Sequence, residues 1–404
     1  MKSSKRLVLF LLSTGSLSAN GLYRASDTDS SDLPLEWTVG TNLIYDSNVF
    51  PGIGDKETSF AINPSAELSF VRKVPQTTLE VSGRLGLIYY LDTPGGMSDT
   101  NSQSRASVNV SHHFSELLRF SSRNYISYEL EPDYSYGIAS GRSESGGENL
   151  YWQTDNSFGY RWSELLGTFT GVRVNQLDSE VDTSDRLTWG IYNQVRYQHS
   201  PTTVITTDYR YSDTAGGGVA SDAVNHYLMV GSEHRFSPTT LGILNIGAQF
   251  RKADLGESSS SPFLEFSLNS VVNESFKFRT FVRYGLEDYD TVQIHPDAGS
   301  VEFDEKAALR LGIVADYSIS SKFSLFGGLD YISSSYGGAR PLAGGSAELR
   351  DLDEDLINMY VGVKVQFTDS VSGNFSYNFT DSSSDIAGKT YDRERVNLGV
   401  SFEF

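Results

Sequence analysis

The chain contains no cysteine. This excludes a disulfide framework, a lipid-modified N-terminal Cys, thiol catalysis and thiolate metal sites, and it suits export through an oxidising compartment. Long apolar runs are missing as well, since no segment reaches the ~20 residues a spanning helix requires. None of the 6 histidines belongs to an HExxH pair, and neither a GxSxG elbow nor a phosphate-cradling glycine loop occurs. No catalytic residue, metal ligand or cofactor is expected. Trp and Met are scarce at 4 each, whereas Tyr and Phe reach 23 each and Gly 37. That balance favours β structure with aromatic belts.

What is present begins with an export layout. Lys2, Lys5 and Arg6 precede the apolar run 7–12 and small residues through Ser18 and Ala19, so 1–19 reads as a secretory signal peptide. Residues 20–34, rich in Ser and Asp, read as a periplasmic tail, and 35–404 as one domain. Within that domain apolar residues recur at every second position. Leu35, Trp37, Val39, Leu43 and Tyr45 share one face, as do Ile357, Met359, Val361, Val363 and Val365, and as do Val396, Leu398, Val400, Phe402 and Phe404 at the end. Successive strand side chains point oppositely, so each segment has an oily and a wet face.

Short connections resemble one another: RKVPQ (72–76), FSEL (114–117), WSEL (162–165), HSPTT (199–203), FSPTT (236–240), VNES (272–275), SISSK (318–322) and FTDS (367–370). Their Ser, Pro, Asn and Asp close tight hairpins. Longer Gly-, Ser- and Asp-rich connections alternate with them, chiefly 131–149, 289–303 and 333–355. The pattern predicts an all-β, transmembrane, antiparallel up-and-down barrel of about 18 strands, or 16 if the pair 100–114 and 118–130 is misread. It also predicts no charged residue on the oily face, where Arg or Lys at the bilayer midplane costs ~2–4 kcal/mol. Location follows as the Gram-negative outer membrane, among its lipids and lipopolysaccharide. The barrel assembly machinery is an expected partner, with Phe402 and Phe404 as its recognition signal.

Acids outnumber bases, 51 to 32, for a formal charge of −19. This leaves no basic footprint for nucleic acid. The alternation nevertheless turns many bases inward, making the lumen roughly +6. The inward arginines are Arg84, Arg105, Arg119, Arg123, Arg173, Arg196, Arg210, Arg235, Arg251, Arg279, Arg283, Arg310, Arg393 and Arg395. Two readings stand level. A basic lumen lowers the barrier for anionic solutes or an acidic glycan. Alternatively, these arginines pair with Glu67, Glu80, Asp155, Asp208, Glu233, Glu265, Glu287 and Asp316 and stiffen a wet interior.

Aromatics near strand ends, among them Trp37, Tyr45, Trp162, Trp189 and Tyr197, are expected in interfacial girdles, with His112, His199 and His234 on the same outward face. Tyr151, Tyr192 and Tyr360 face inward, where packing is favoured over sugar binding.

At the end of the first strand stands Tyr45-Asp46-Ser47-Asn48. Asp46 and Asn48 can each close an Asx-turn. The segment also resembles the Y-D-x-N signature of the β-barrel porin 2 family of outer-membrane proteins, carried here by Tyr45, Asp46 and Asn48. The resemblance implies a porin connected with surface-polysaccharide export, whose export partners this chain would share, and it implies no catalytic residue. The expected function is thus a passive porin-like channel favouring anionic solutes or an acidic exported polysaccharide. The alternative is a closed barrel that acts as a structural or surface-adhesion protein, its lumen plugged by side chains or by an infolded 333–355. Oligomeric state is open.

Overall fold

The computed structural model describes residues 19–20, 23–24, 33–49, 51, 56–93, 98–130, 148–179, 185–217, 222–254, 258–288, 292–341, 349–386 and 388–404. The expected signal peptide, but for Ala19, and most of the 131–149 connection lie outside them. Eighteen strands close into one antiparallel barrel. In chain order they are β1 (Leu33–Asp46), β2 (Ser59–Val74), β3 (Thr77–Tyr90), β4 (Thr100–His113), β5 (Leu118–Glu129), β6 (Asn149–Arg161), β7 (Leu166–Ser179), β8 (Arg186–Ser200), β9 (Thr203–Gly216), β10 (Ala223–Ser237), β11 (Thr240–Ala253), β12 (Ser258–Val271), β13 (Phe276–Leu286), β14 (Glu305–Ser318), β15 (Phe323–Gly337), β16 (Leu352–Gln366), β17 (Val371–Ser384) and β18 (Tyr391–Glu403). Each pairs with its neighbour in sequence, and β18 returns to β1. All eight short connections fall between paired strands at one end of the barrel, and β4 pairs with β5 as the 18-strand count requires.

The oily face points outward, where Trp37, Leu85, Val230, Val361 and Leu398 are exposed on the barrel's outer surface. Only lipid makes that arrangement favourable, since burying such a side chain is worth ~1.5–3 kcal/mol. Aromatics line both rims of this face. Trp189 packs at a tilt against Tyr211 at 5.4 Å, and Tyr211 edge-on against His226 at 5.3 Å. At the rim with the short turns, His112 packs edge-on to Phe114 and His234 to Phe236, and each ring Nδ1 shares a hydrogen bond with Thr77 or Thr203.

The expectation of an uncharged outward face is corrected at the strand ends. Asp213, Asp353, Asp355, Asp381 and Glu394 continue the outward alternation at the long-loop end, and Arg72 does so at the short-turn end. The cause is length: a 14-residue strand tilted by ~40° rises about 35 Å, whereas the apolar band is only ~25 Å tall. These charges therefore stand beyond the hydrocarbon. Length also corrects the third long connection, because β15 runs to Gly337 and β16 begins at Leu352.

Two departures from a plain cylinder shape the long-loop mouth. First, β13 leaves β12 beyond the pair Leu264↔Tyr284 and bends inward. The Gln249 side chain, on β11, then holds both backbone groups of Leu286, donating to its carbonyl (3.0 Å) and accepting from its N–H (2.8 Å). Pro262 sits on the edge thus freed, a place where its missing N–H costs no ladder bond. Second, residues 292–295 and 299–302 form a hairpin joined by Arg340 and Pro341 into a three-stranded sheet. Gly299 makes its turn at φ 71°. Val301 and Phe303 bury against Tyr336, Leu352 and Ile386.

Candidate functional site: the charged lumen

Inward positions carry polar and charged side chains, as the alternation requires of a water-facing wall. Cross-strand neighbours lie within reach of long side chains, and most of the inward arginines use that reach. Arg173 donates to Asp155 (2.7 Å), which also lies 3.6 Å from Arg123. Arg196 forms a two-pronged bond with Glu233 at 2.6 Å on both arms, with both side chains buried. Arg210 reaches Glu265 (3.1 Å), Arg310 clasps Glu287 (2.6 and 2.7 Å), and Arg84 lies 3.6 Å from Glu67 while donating to Asn63. Paired fork geometry makes such contacts strong and directional.

Five of the eight acids named as partners from sequence thus take arginines: Glu67, Asp155, Glu233, Glu265 and Glu287. Asp208 instead accepts twice from the Gln194 amide, and Glu80 accepts from Asn109. Two acids were missed. Asp288, on the inward bend after β13, reaches past β12 to Arg251 on β11 (2.5 Å) and Thr214 on β9 (3.0 Å). Asp46 accepts from both Arg393 (2.9 and 2.5 Å) and Arg395 (2.7 Å).

That last cluster is where Tyr45-Asp46-Ser47-Asn48 sits. Besides its two arginines, Asp46 accepts the Asn48 N–H (3.1 Å) as an Asx-turn. The Asn48 amide donates to Asp392 O (3.0 Å), the Ser47 N–H to Glu394 O (3.0 Å), and the Glu394 N–H to Ser47 Oγ (2.8 Å). The motif fastens the first strand to the last. Arg119 and Arg235, also named from sequence, serve locally, donating to Ser111 and to Pro238 O.

Inward aromatics lie flat on the wall. The ring of Tyr192 covers Gly171 and donates to Asp155 (2.6 Å), and Tyr360 covers Gly328. Glycine permits this because a Cβ at either position would overlap the ring. Both rings pack against the wall. Tyr151 donates to Gln153 (2.9 Å).

Two of the inward arginines stand apart. Among the described residues, Arg105 and Arg283 have neither a hydrogen bond nor an ion pair. Arg279 faces the lumen on β13 beside Lys277 and Arg283. Among the described residues no group of His, Asp and Glu is arranged to hold a metal ion.

No curated protein matches the chain. Among solved structures, it is similar to Acinetobacter baumannii OccAB4 at 12% identity, covering 93% of this chain and 99% of that one with a TM-score of 0.44. It is similar to Pseudomonas aeruginosa OpdK with vanillate at 12% identity, 92% and 98% coverage and a TM-score of 0.46. For P. aeruginosa OccK2 (OpdF) in complex with glucuronate the values are 9%, 92%, 97% and 0.45. Residues 160–399, more than half the chain, match the family described as "Putative outer membrane beta-barrel porin, MtrB/PioB", and the chain belongs to this family of outer-membrane β-barrel porins.

Proposed function

We propose that this outer-membrane porin is a passive channel that favours anionic solutes, an acidic exported polysaccharide among them. The observation that carries the reading is a run of inward cations on two adjacent strands, Lys277, Arg279 and Arg283 on β13 and Lys306 and Arg310 on β14. Within these strands they face one inward acid, Asp316. Eighteen strands leave a lumen wide enough for water, and a wall of fixed positive charge lowers the barrier to anions. The polysaccharide part leans on the resemblance of the Tyr45-Asp46-Ser47-Asn48 segment.

Planar-bilayer recording of the purified protein tests the reading. Anion preference is expected, and Arg279→Glu with Arg283→Glu should shift it toward cations. Absence of conductance, or cation preference in the unaltered protein, overturns it. One observation favours the closed-barrel alternative: the sheet of 292–302 with Arg340 and Pro341 packs an apolar cluster at the mouth. Liposomes that swell in small sugars would rule out that alternative.

A further inference from the structure

The ladder sets two inward arginines directly opposite each other at two places. Arg84 on β3 is the register partner of Arg105 on β4, and Arg283 on β13 is the partner of Arg310 on β14. Like charges in directly opposed positions repel. A fold kept for stiffness alone would place an acid there, as it does at Glu67↔Arg84 and Glu265↔Arg283.

Each pair is divided in the same way. One member is held: Arg84 by Asn63 and Glu67, Arg310 by both arms of Glu287. The other, Arg105 or Arg283, has no hydrogen bond or ion pair among the described residues. Arg283 has an acid opposite it, but Glu265 gives its hydrogen bonds to Arg210 on β9 and meets Arg283 only through its charge. Both arginines are only partly buried.

The two pairs also face each other. β4 and β13 stand nine strands apart in a closed ring of eighteen, which puts them on opposite walls. Arg105 lies eight residues from the short-turn end of β4 at His113, and Arg283 seven from that of β13 at Phe276. Their heights therefore agree to about one residue, ~3 Å along the strand.

We propose that Arg105 and Arg283 are the residues that select the solute, two open guanidiniums at mid-height that bind carboxylate- or phosphate-bearing molecules from opposite walls. Each has a fork free for an anion's paired oxygens, and a visiting anion relieves the repulsion within its pair. Most of the remaining inward arginines are held by carboxylates, and Arg119 and Arg235 by Ser111 and the Pro238 carbonyl, so that they set the shape of the wall. This rests on the channel reading and narrows it to two positions.

Reversal potentials across a KCl gradient test the proposal, with heat-modifiable gel mobility confirming that each variant is folded. Arg105→Gln with Arg283→Gln should lower the anion-to-cation permeability ratio by roughly threefold or more. Arg105→Lys with Arg283→Lys, which keeps the charge, should hold selectivity while weakening block of the KCl current by added glucuronate, a carboxylate probe. If the unaltered protein prefers anions and the Gln pair stays within about twofold of it, this assignment is wrong and the channel reading survives. If the unaltered protein shows no anion preference, both fall. Each single Gln variant should give an intermediate ratio, and an unchanged ratio in both singles also overturns the assignment.

Discussion

Glycine decides how much room the lumen keeps. At Gly171 on β7, a Cβ would fall 2.4 Å from Cζ of the Tyr192 ring and 2.5 Å from its hydroxyl. The ring can lie against the wall and reach Asp155 only because nothing is there. Gly312 under Phe281 and Gly362 under Phe326 repeat the arrangement. We expect Gly171→Val to push the Tyr192 ring inward, breaking its 2.6 Å bond to Asp155 at a cost of about 1–3 kcal/mol from overpacking. Single-channel conductance and the temperature of unfolding on heat-modifiable gels should both fall. A variant with the conductance of the parent would show that the ring does not bound the pore.

Strands are joined unevenly around the barrel. The closing ladder between β18 and β1 spans nine register pairs, against fourteen between β8 and β9. At its long-loop end the backbone pairing gives way to side chains, with buried Asp46 between Arg393 and Arg395. At the other end Phe404 and Trp37 exchange backbone hydrogen bonds (2.8 and 3.3 Å), and the Phe404 side chain projects outward. Removing one partner of a buried ion pair strands the other, at about 3–5 kcal/mol. Asp46→Ala should therefore open this seam first. The expected result is a lower urea midpoint and earlier protease cleavage within 47–58 than elsewhere; a parental midpoint would deny the clasp a role in closure.

Over the whole molecule, acidic loops surround a lumen whose acids are mostly engaged with bases. At the mouth, burial would raise the Glu287 carboxyl, but Arg310, with Lys306 and Arg283 nearby, outweighs it and holds the group at about 2, below its usual 4.5. Asp288 is lowered likewise: burial opposes, and Arg251 prevails. A carboxyl lowered on folding stabilises the fold fully above its unfolded value and loses that contribution as pH falls toward the folded one. Between pH 7.5 and 5 these charges should not change. Ion selectivity is expected to be equal at those two pH values, while the unfolding temperature drops below about pH 4. A selectivity that changed between pH 7.5 and 5 would place the controlling group elsewhere.

The alternation and the eight short turns determined the barrel, its strand count and its outward face, because lipid demands apolar side chains along the middle of every strand and tight turns accept few residues. They could not reveal where strands outrun the membrane, which is why Asp353, Asp355 and Glu394 appear outward. The candidate site was half legible. Parity placed all fourteen arginines inward, yet which of them are spent depends on partners brought together by closure: Asp46 meets Arg393 across 347 positions, and Asp288 meets Arg251 across 37. Only the tertiary structure decided that Glu265 gives its hydrogen bonds to Arg210 rather than to Arg283 opposite it, since register and side-chain reach, not sequence spacing, set the distance between charges in a closed ring.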